Sequence, residues 1–346
     1  MIRPETEIRI ILVSDTHLGF DLPRNPRIAK ERRGEDFFGN FATVLRYARE
    51  KNADFLIHGG DLFFRSRLGQ GLINRVYRML HEYACEQRKI LIIPGNHERS
   101  ALPLSLFISD PNIYIFHRPA TFRFNVRDQA ITFMGFPFTS GDIRHRFVGL
   151  LGETGWDKSA RGINFLCLHQ VVEGATVGPG NYRFKGDPRT ISIMDIPPDF
   201  TAVLAGHIHR AQILFGCDRK GYGRLPVVYS GSVERTSMAE RNELKGFYDI
   251  GIRLNDAGDI LYERYDFVPL PVRPVKEIFL PRDMTAGCLR AFIEDGVRDI
   301  DNRSIVYICC DPGYPAGAKI NLNGKFLRGM IPAGMIIKVG RSCFYR

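Results

Sequence analysis

Short apolar runs that stop abruptly in glycine, aspartate, asparagine or histidine recur between residues 8 and 209. Residues 8–13 are β-branched and leucine-rich and end in Ser14-Asp15-Thr16-His17-Leu18-Gly19, which reads as a strand followed by a loop. Residues 24–34 are polar and basic and predict an exposed loop. Phe37, Phe38, Phe41, Val44, Leu45 and Ala48 then recur at helical spacing. A second strand over 55–57 leads through His58-Gly59-Gly60 to Asp61, and Leu72, Ile73, Val76, Tyr77 and Leu80 mark another amphipathic helix. A third strand over 90–93 leaves through Pro94-Gly95-Asn96-His97. This β-α-β-α-β order implies parallel strands joined by right-handed crossovers.

After Asn112 the pattern changes. Residues 113–116, 122–126 and 131–136 read as short strands with polar turns, expected to form a mixed or antiparallel second sheet. An apolar run over 163–168 ends in His169, and a loop rich in glycine and basic residues spans 174–189. Residues 202–205 end in Gly206-His207-Ile208-His209, and residues 247–252 and 260–267 pattern as a closing hairpin. Pro269, Pro271 and Pro274 punctuate the chain, which predicts domains over 1–270 and 271–346. The second is expected to be a small α+β unit, with a helix near 286–293 and strands near 305–309 and 335–339.

Charge changes the picture more than composition does. The 346 residues carry a formal net charge of +10, which favours a polyanionic partner, nucleic acid before an anionic membrane surface. Seven cysteines with no CxxC pair suggest neither a zinc knuckle nor a disulfide framework and fit a reducing cytoplasm. The N-terminal residues lack a signal-peptide core, and no apolar run approaches the roughly 20 residues that span a bilayer. A cytoplasmic protein without a membrane partner is expected.

The strand ends concentrate hard ligands: Asp15 and His17, Asp61, Asn96, His169, and His207 with His209. Open α/β folds place their ligand sites at such carboxyl edges, so these residues read together as one dinuclear metal centre, with Asp61 placed to bridge two ions. On an extended backbone alternate side chains point the same way, so Asp15 and His17 can reach one ion, and so can His207 and His209. Imidazole and carboxylate ligands without thiolates suit manganese, iron or zinc more than magnesium or calcium. By the same extended geometry His97 diverges from Asn96 and can stand beside a bound phosphate. His58 is a candidate supporting residue, whereas His81, His117 and His145 read as surface or packing residues. Arg65, Arg67, Arg183, Lys185 and Arg189, on loops near strand ends, are candidate phosphate contacts.

The order D-x-H, GD, GNH, H, GHxH resembles the calcineurin-like metallophosphoesterase superfamily, and within it the DNA double-strand-break repair nuclease subunit of the SbcD/Mre type. Tyr229-Ser230-Gly231-Ser232-Val233-Glu234-Arg235, Lys245-Gly246-Phe247 and Pro271-Val272-Arg273-Pro274 extend the resemblance to about residue 275. It implies a four-layer α/β/β/α sandwich with a small C-terminal α+β cap. It implies one ion held by Asp15, His17, Asp61 and His209, and a second by Asp61, Asn96, His169 and His207. His97 is then the non-ligand histidine that acts on the leaving group. The implied activity is a manganese-dependent DNA nuclease, exonuclease on duplex ends and endonuclease on single strands. The implied partners are DNA, a coiled-coil ATPase of the SbcC/Rad type, and a second copy of the chain. Leu72, Ile73, Val76, Leu80, Leu104, Leu106 and Phe107 are the candidate dimer contacts. Family members usually continue into helices that bind the ATPase, whereas this sequence ends at Arg346. Protein serine/threonine phosphatases share GD and GNHE but carry a second aspartate and an arginine after GD, where this chain has Leu62-Phe63-Phe64-Arg65-Ser66. The alternatives are a phosphodiesterase for nucleotides or other small molecules, and a DNA-end-binding scaffold for an ATPase.

Overall fold

A computed structural model describes residues 7–22, 32–106, 110–156, 162–217, 224–255, 260–310, 327, 329–332 and 334–339. The basic loop expected over 24–34 lies mostly outside them. The described chain falls into two compact units, residues 7–22 with 34–271, and Arg32 and Arg33 with residues from 272 onward.

The larger unit begins as the apolar pattern predicts: β1 (Ile8–Val13), α1 (Gly34–Glu50), β2 (Phe55–His58), α2 (Gln70–Ala84), β3 (Lys89–Ile92) and β4 (Ile113–Ile115). Glu35 and Asp36 in the first turn of α1 and Arg49 in its last suit the helix dipole. The second half contributes β5 (Ala120–Val126), β6 (Gln129–Gly135), α3 (Ile143–Glu153) and β7 (Ile163–Leu168). The glycine-rich loop carries the two-residue strands β9 (Thr176–Val177) and β10 (Tyr182–Arg183), and is flanked by two more, β8 (Val171–Val172) and β11 (Thr190–Ile191). Then come β12 (Ala202–Ala205), β13 (Gln212–Cys217), β14 (Arg224–Tyr229), β15 (Gly246–Leu254) and β16 (Ile260–Pro269).

Two six-stranded sheets result, ordered β16-β15-β1-β2-β3-β4 and β13-β14-β12-β7-β6-β5. In the first, β1 to β4 run parallel and the β15–β16 hairpin adds antiparallel to β1. The second is mixed, with β6, β7, β12 and β14 parallel and β5 and β13 antiparallel at its edges. Residues 113–116 therefore depart from expectation: they pair with β3 and close the first sheet, and the chain crosses to the second sheet only after them. Apolar side chains of both sheets meet in one core, where the Phe133 ring lies 4.9 Å from Phe55 and 5.1 Å from Phe165. Burying each such ring stabilises by about 1.5–3 kcal/mol. The outer face of the first sheet packs on α1 and α2, and that of the second on α3, giving four layers. Helix α3 was not anticipated, although Ile143, Phe147 and Leu151 recur at four-residue spacing and all three are buried. Asp142 caps it by accepting from the His145 amide at 3.2 Å.

The smaller unit comprises β17 (Val275–Leu280), α4 (Ala286–Val297), β18 (Ile305–Cys310) and β19 (Ile336–Val339). Its strand pairs are parallel, so β17-α4-β18 is a crossover unit, and β17 was not expected from the sequence. Ile278, Leu280, Leu289, Ile293 and Ile308 form its core. Among the described residues no helix is long and apolar enough to cross a membrane.

Several proposed dimer contacts are spent inside the chain. Val76, Leu80 and Leu106 are fully buried, and Leu72 and Ile73 pack against the same core, so their apolar character is explained without a partner. Leu104 is 65% exposed, and Phe107 lies outside the described residues.

The two sheets touch, backbone to backbone, at the ends of β2 and β12. A Cβ on Gly206 would be driven into the Gly59 carbonyl and to 2.9 Å from Cβ of Ser14. Gly206→Ala should therefore destabilise the fold by at least the about 1–3 kcal/mol typical of overpacking, read from denaturant unfolding. A change within a few tenths would mean that this junction can relax.

Candidate metal centre

The carboxyl ends of β1, β2 and β3 from one sheet and of β7 and β12 from the other converge on one cluster. Its frame is backbone hydrogen bonding between loops: Asp15 N to Gly60 O at 2.8 Å, His17 N to Asp61 O at 3.0 Å, and Leu18 N to Leu62 O at 2.9 Å. The route differs from the extended one expected. Asp15, His17, Asp61 and His207 have φ of 50°, 44°, 52° and 84°, a left-handed conformation rare for residues with side chains and concentrated at functional sites. Asn96 and His97 likewise sit in a turn, closed by Arg99 N to Asn96 O at 3.1 Å.

All seven expected ligands are nevertheless brought together. His209 Nε2 lies 3.0 Å from His17 Nε2 and 3.6 Å from Asp15 Oδ1. Asn96 Oδ1 lies 3.0 Å from His169 Nε2 and 2.8 Å from His207 Nδ1. Asp61 stands between these groups: its Oδ2 is 3.5 Å from His169 Nε2, 3.8 Å from His97 Nε2 and 4.0 Å from His17 Nε2. Three sets of ligand atoms fall within 4.8 Å of one another: Asp15, His17, His209; Asp15, Asp61, His169; and His17, Asp61, His97. Room for Asp61 depends on Gly95, where a Cβ would collide with the Asp61 carboxylate.

The electrostatics call for cations. Asp15 and Asp61 are buried, and Asp15 Oδ1 has no hydrogen-bond partner among the described residues, although Oδ2 accepts from Ser14 Oγ at 2.5 Å and His207 N at 3.1 Å. Burial raises the Asp15 carboxyl above its ordinary range. Burial also opposes ionisation of Asp61, but the neighbouring His169 ring outweighs it and holds that carboxyl well below the usual range. The same pairing pushes His169 up to about 9 against its own burial. Burial keeps His17 neutral and lowers His207 to about 3, so both present lone pairs. His169 Nδ1 donates to Gly59 O at 2.7 Å, which aims Nε2 into the cluster. Buried carboxylates, an orphaned oxygen and convergent imidazoles fit divalent cations.

Three further residues support the ligands. Glu98 is buried, accepts from Phe63 N at 2.6 Å and Gly95 N at 2.9 Å, and so ties the β2 and β3 exits together; burial, then Asp61, pushes its carboxyl up to about 8. Glu240 Oε1 stands 3.3 Å from His209 Nδ1, and buried Lys245 holds Glu240 Oε2 at 2.6 Å and donates to His209 O at 2.8 Å. Glu98 adjoins the GNH motif and could have been suspected; Glu240 has no spacing signal. His58 plays a supporting part, with Nε2 3.0 Å from Thr16 Oγ1. His81, His117 and His145 lie on the surface.

The candidate phosphate contacts are more scattered. The Arg65 guanidinium lies 5.5 Å from the Phe64 ring, which is 5.4 Å from the His97 ring. Arg67, Arg183 and Lys185 are exposed. Arg189 is exposed but forks onto Asp187 at 2.7 and 3.0 Å.

Known proteins resemble this chain over most of its length. The DNA double-strand break repair protein Mre11 of Archaeoglobus fulgidus is 24% identical over 301 residues, covering 82% of this chain and 63% of that protein. Mre11 of Halobacterium salinarum is 25% identical over 293 residues, 84% of this chain and 67% of that protein. Mre11 of Thermoplasma acidophilum is 24% identical over 249 residues, 70% of this chain and 60% of that protein. The chain thus spans about three-fifths to two-thirds of the length of these relatives. The profile of the calcineurin-like phosphoesterases matches residues 8–211, from the first residue of β1 to two residues beyond His209, and so takes in every candidate ligand. The chain belongs to the calcineurin-like phosphoesterase family.

Proposed function

We propose that this chain is a manganese-dependent DNA nuclease that hydrolyses phosphodiester bonds in double-strand-break repair, as an exonuclease on duplex ends and an endonuclease on single strands. The observation that carries it is Asp61, whose carboxylate faces histidines of both ligand groups, in a chain whose Mre11 relatives align over most of its length. Asp15, His17, Asp61 and His209 would hold one ion; Asp61, Asn96, His169 and His207 would hold the other. Two divalent ions bound there would supply Lewis acidity toward the phosphoryl group and the attacking water. The donor set favours manganese, iron or zinc over magnesium or calcium.

The protein's own part is orientation and proton transfer. The Ser14 hydroxyl and the His207 amide fix the Asp15 carboxylate, and Glu240 fixes His209. His97 donates Nδ1–H to Phe64 O at 2.7 Å, which directs Nε2 toward the cluster. Its side chain is 34% exposed, against 1% for His17 and 0% for His169. Of the histidines facing Asp61, His97 is the one a substrate can touch, which suits it to the leaving group. Residues 271–346 serve on this reading as a DNA-binding cap, and the family resemblance favours a homodimer and an ATPase partner.

Manganese-loaded protein on end-labelled duplex and single-stranded DNA tests the activity; turnover of a chromogenic diester without any cleavage of DNA would favour a small substrate. DNA affinity should also fall steeply with salt. Each phosphate neutralised on a duplex contributes about −0.9 to the slope of log K against log salt, so contacts by Arg65, Arg67, Arg183 and Lys185 give a slope of about −3.6. Fluorescence anisotropy between low and moderate salt measures it, and a flat dependence would reject these contacts.

A further inference from the structure

A cavity of about 340 Å³ opens directly beside the metal cluster, sharing His207 with it. Its walls come from the loop after β6 (Phe138 to Gly141), from Gln170 and Val171, and from the basic loop at Phe184, Asp187, Arg189 and Thr190. Phe138 is half-buried; its ring lies 5.5 Å from His207 and 6.1 Å from His169, so one aromatic group contacts both the candidate ligands and the cavity. Phe184, also half-buried, lines the cavity from the other loop.

The cavity is formed in advance. Phe138 N donates to Pro94 O at 2.9 Å, and Phe138 O accepts from Ser100 Oγ at 2.5 Å. Phe184 N donates to Ala175 O at 3.0 Å and its carbonyl accepts from Gly174 N at 2.9 Å. Two polar groups in the lining are already engaged, Gln170 Nε2 with Thr139 O at 2.8 Å and Arg189 with Asp187. A space of this size, walled by two phenylalanines and with its long polar side chains committed, suits a flat apolar group recognised by stacking. A phosphate ester of an alkyl alcohol would leave it empty.

We infer that this cavity receives the base of the nucleotide whose phosphate lies at the cluster, stacked on Phe138 and Phe184, without discrimination among the four bases. The inference rests on the nuclease reading and refines it: the cluster holds the phosphate, and the aromatic walls place the nucleoside on the His207 side.

The test is calorimetric titration of the manganese-loaded full chain with deoxyadenosine monophosphate, deoxyribose phosphate and inorganic phosphate. The nucleotide should bind roughly 5- to 150-fold more tightly than the sugar phosphate, the worth of one stacked base. Phe184→Leu keeps an apolar side chain but removes the flat ring; it should abolish most of that preference while leaving sugar-phosphate and phosphate affinity unchanged. Phe184→Trp should retain it. Equal affinity for nucleotide and sugar phosphate in the unmodified protein would overturn the assignment. So would a preference that survives in both Phe184→Leu and Phe138→Leu. Cleavage of DNA by a protein that binds nucleotide and sugar phosphate equally would sink the cavity alone and leave the nuclease standing. Tighter binding of the nucleotide than of the sugar phosphate by a protein that cannot cleave DNA would support the cavity and remove the nuclease reading.

Discussion

Asp61→Asn should leave the folded protein with less than one divalent ion per chain after dialysis, whereas Asn96→Ala and His209→Ala should each retain about one. The substitution is nearly isosteric and keeps an oxygen to accept the His97 amide, which now reaches Asp61 Oδ1 at 2.9 Å. What it removes is charge. Asp61 Oδ2 faces His17 of one ligand group at 4.0 Å and His169 of the other at 3.5 Å, so both proposed ions lose an anionic ligand together. Loss of a residue that merely supports a ligand costs about 10–100-fold in metal affinity; loss of a shared ligand should exceed that at both positions. Asn96 and His209 lie on opposite sides of the cluster, so removing either should spare the ion it does not touch. Elemental analysis, with circular dichroism to confirm folding, separates these cases. Full occupancy in Asp61→Asn would show that Asp61 does not bridge.

The contrast between Asp61 and Glu240 marks how far the sequence can be read. Asp61 was legible because an apolar strand cannot end in two glycines and a carboxylate without leaving that carboxylate at a sheet edge, where four other strand ends also finish in ligands. Convergence followed from topology, and topology followed from the alternation of strand and helix patterns. The local path was not legible. Asp15, His17, Asp61 and His207 reach the cluster through left-handed backbone, which no apolar period encodes. Glu240 was invisible for a different reason: its role depends on a 3.3 Å approach to His209, a residue 31 positions earlier in sequence. The three-residue strand β4 was placed in the wrong sheet because so short a run carries no information about its neighbour. The run over β17 follows Pro269, Pro271 and Pro274, whose punctuation masked the alternation of buried and exposed residues at its end.

His97→Ala should lower turnover on DNA by about 10²–10⁴, the usual worth of a positioned acid–base group, while metal content and DNA affinity stay near those of the unmodified protein. The geometry supports separating these effects. The contact that His97 makes to Asp61 Oδ1 runs through its backbone amide and survives the substitution. The side chain is held instead by Phe64 O, at 2.7 Å from Nδ1. As an imidazolium the ring keeps that bond and offers Nε2–H to the leaving oxygen. A sugar alkoxide is a poor leaving group until its charge is neutralised, so the loss should be large on DNA. A p-nitrophenolate needs far less help, so the loss on a p-nitrophenyl diester should be smaller. The competing role is available in the same geometry, because Nε2 lies 3.8 Å from Asp61 Oδ2 and within the group formed by His17 and Asp61. If His97 is a ligand, His97→Ala loses an ion and both substrates suffer alike. Rates on both substrates, measured beside metal content, decide between the two roles.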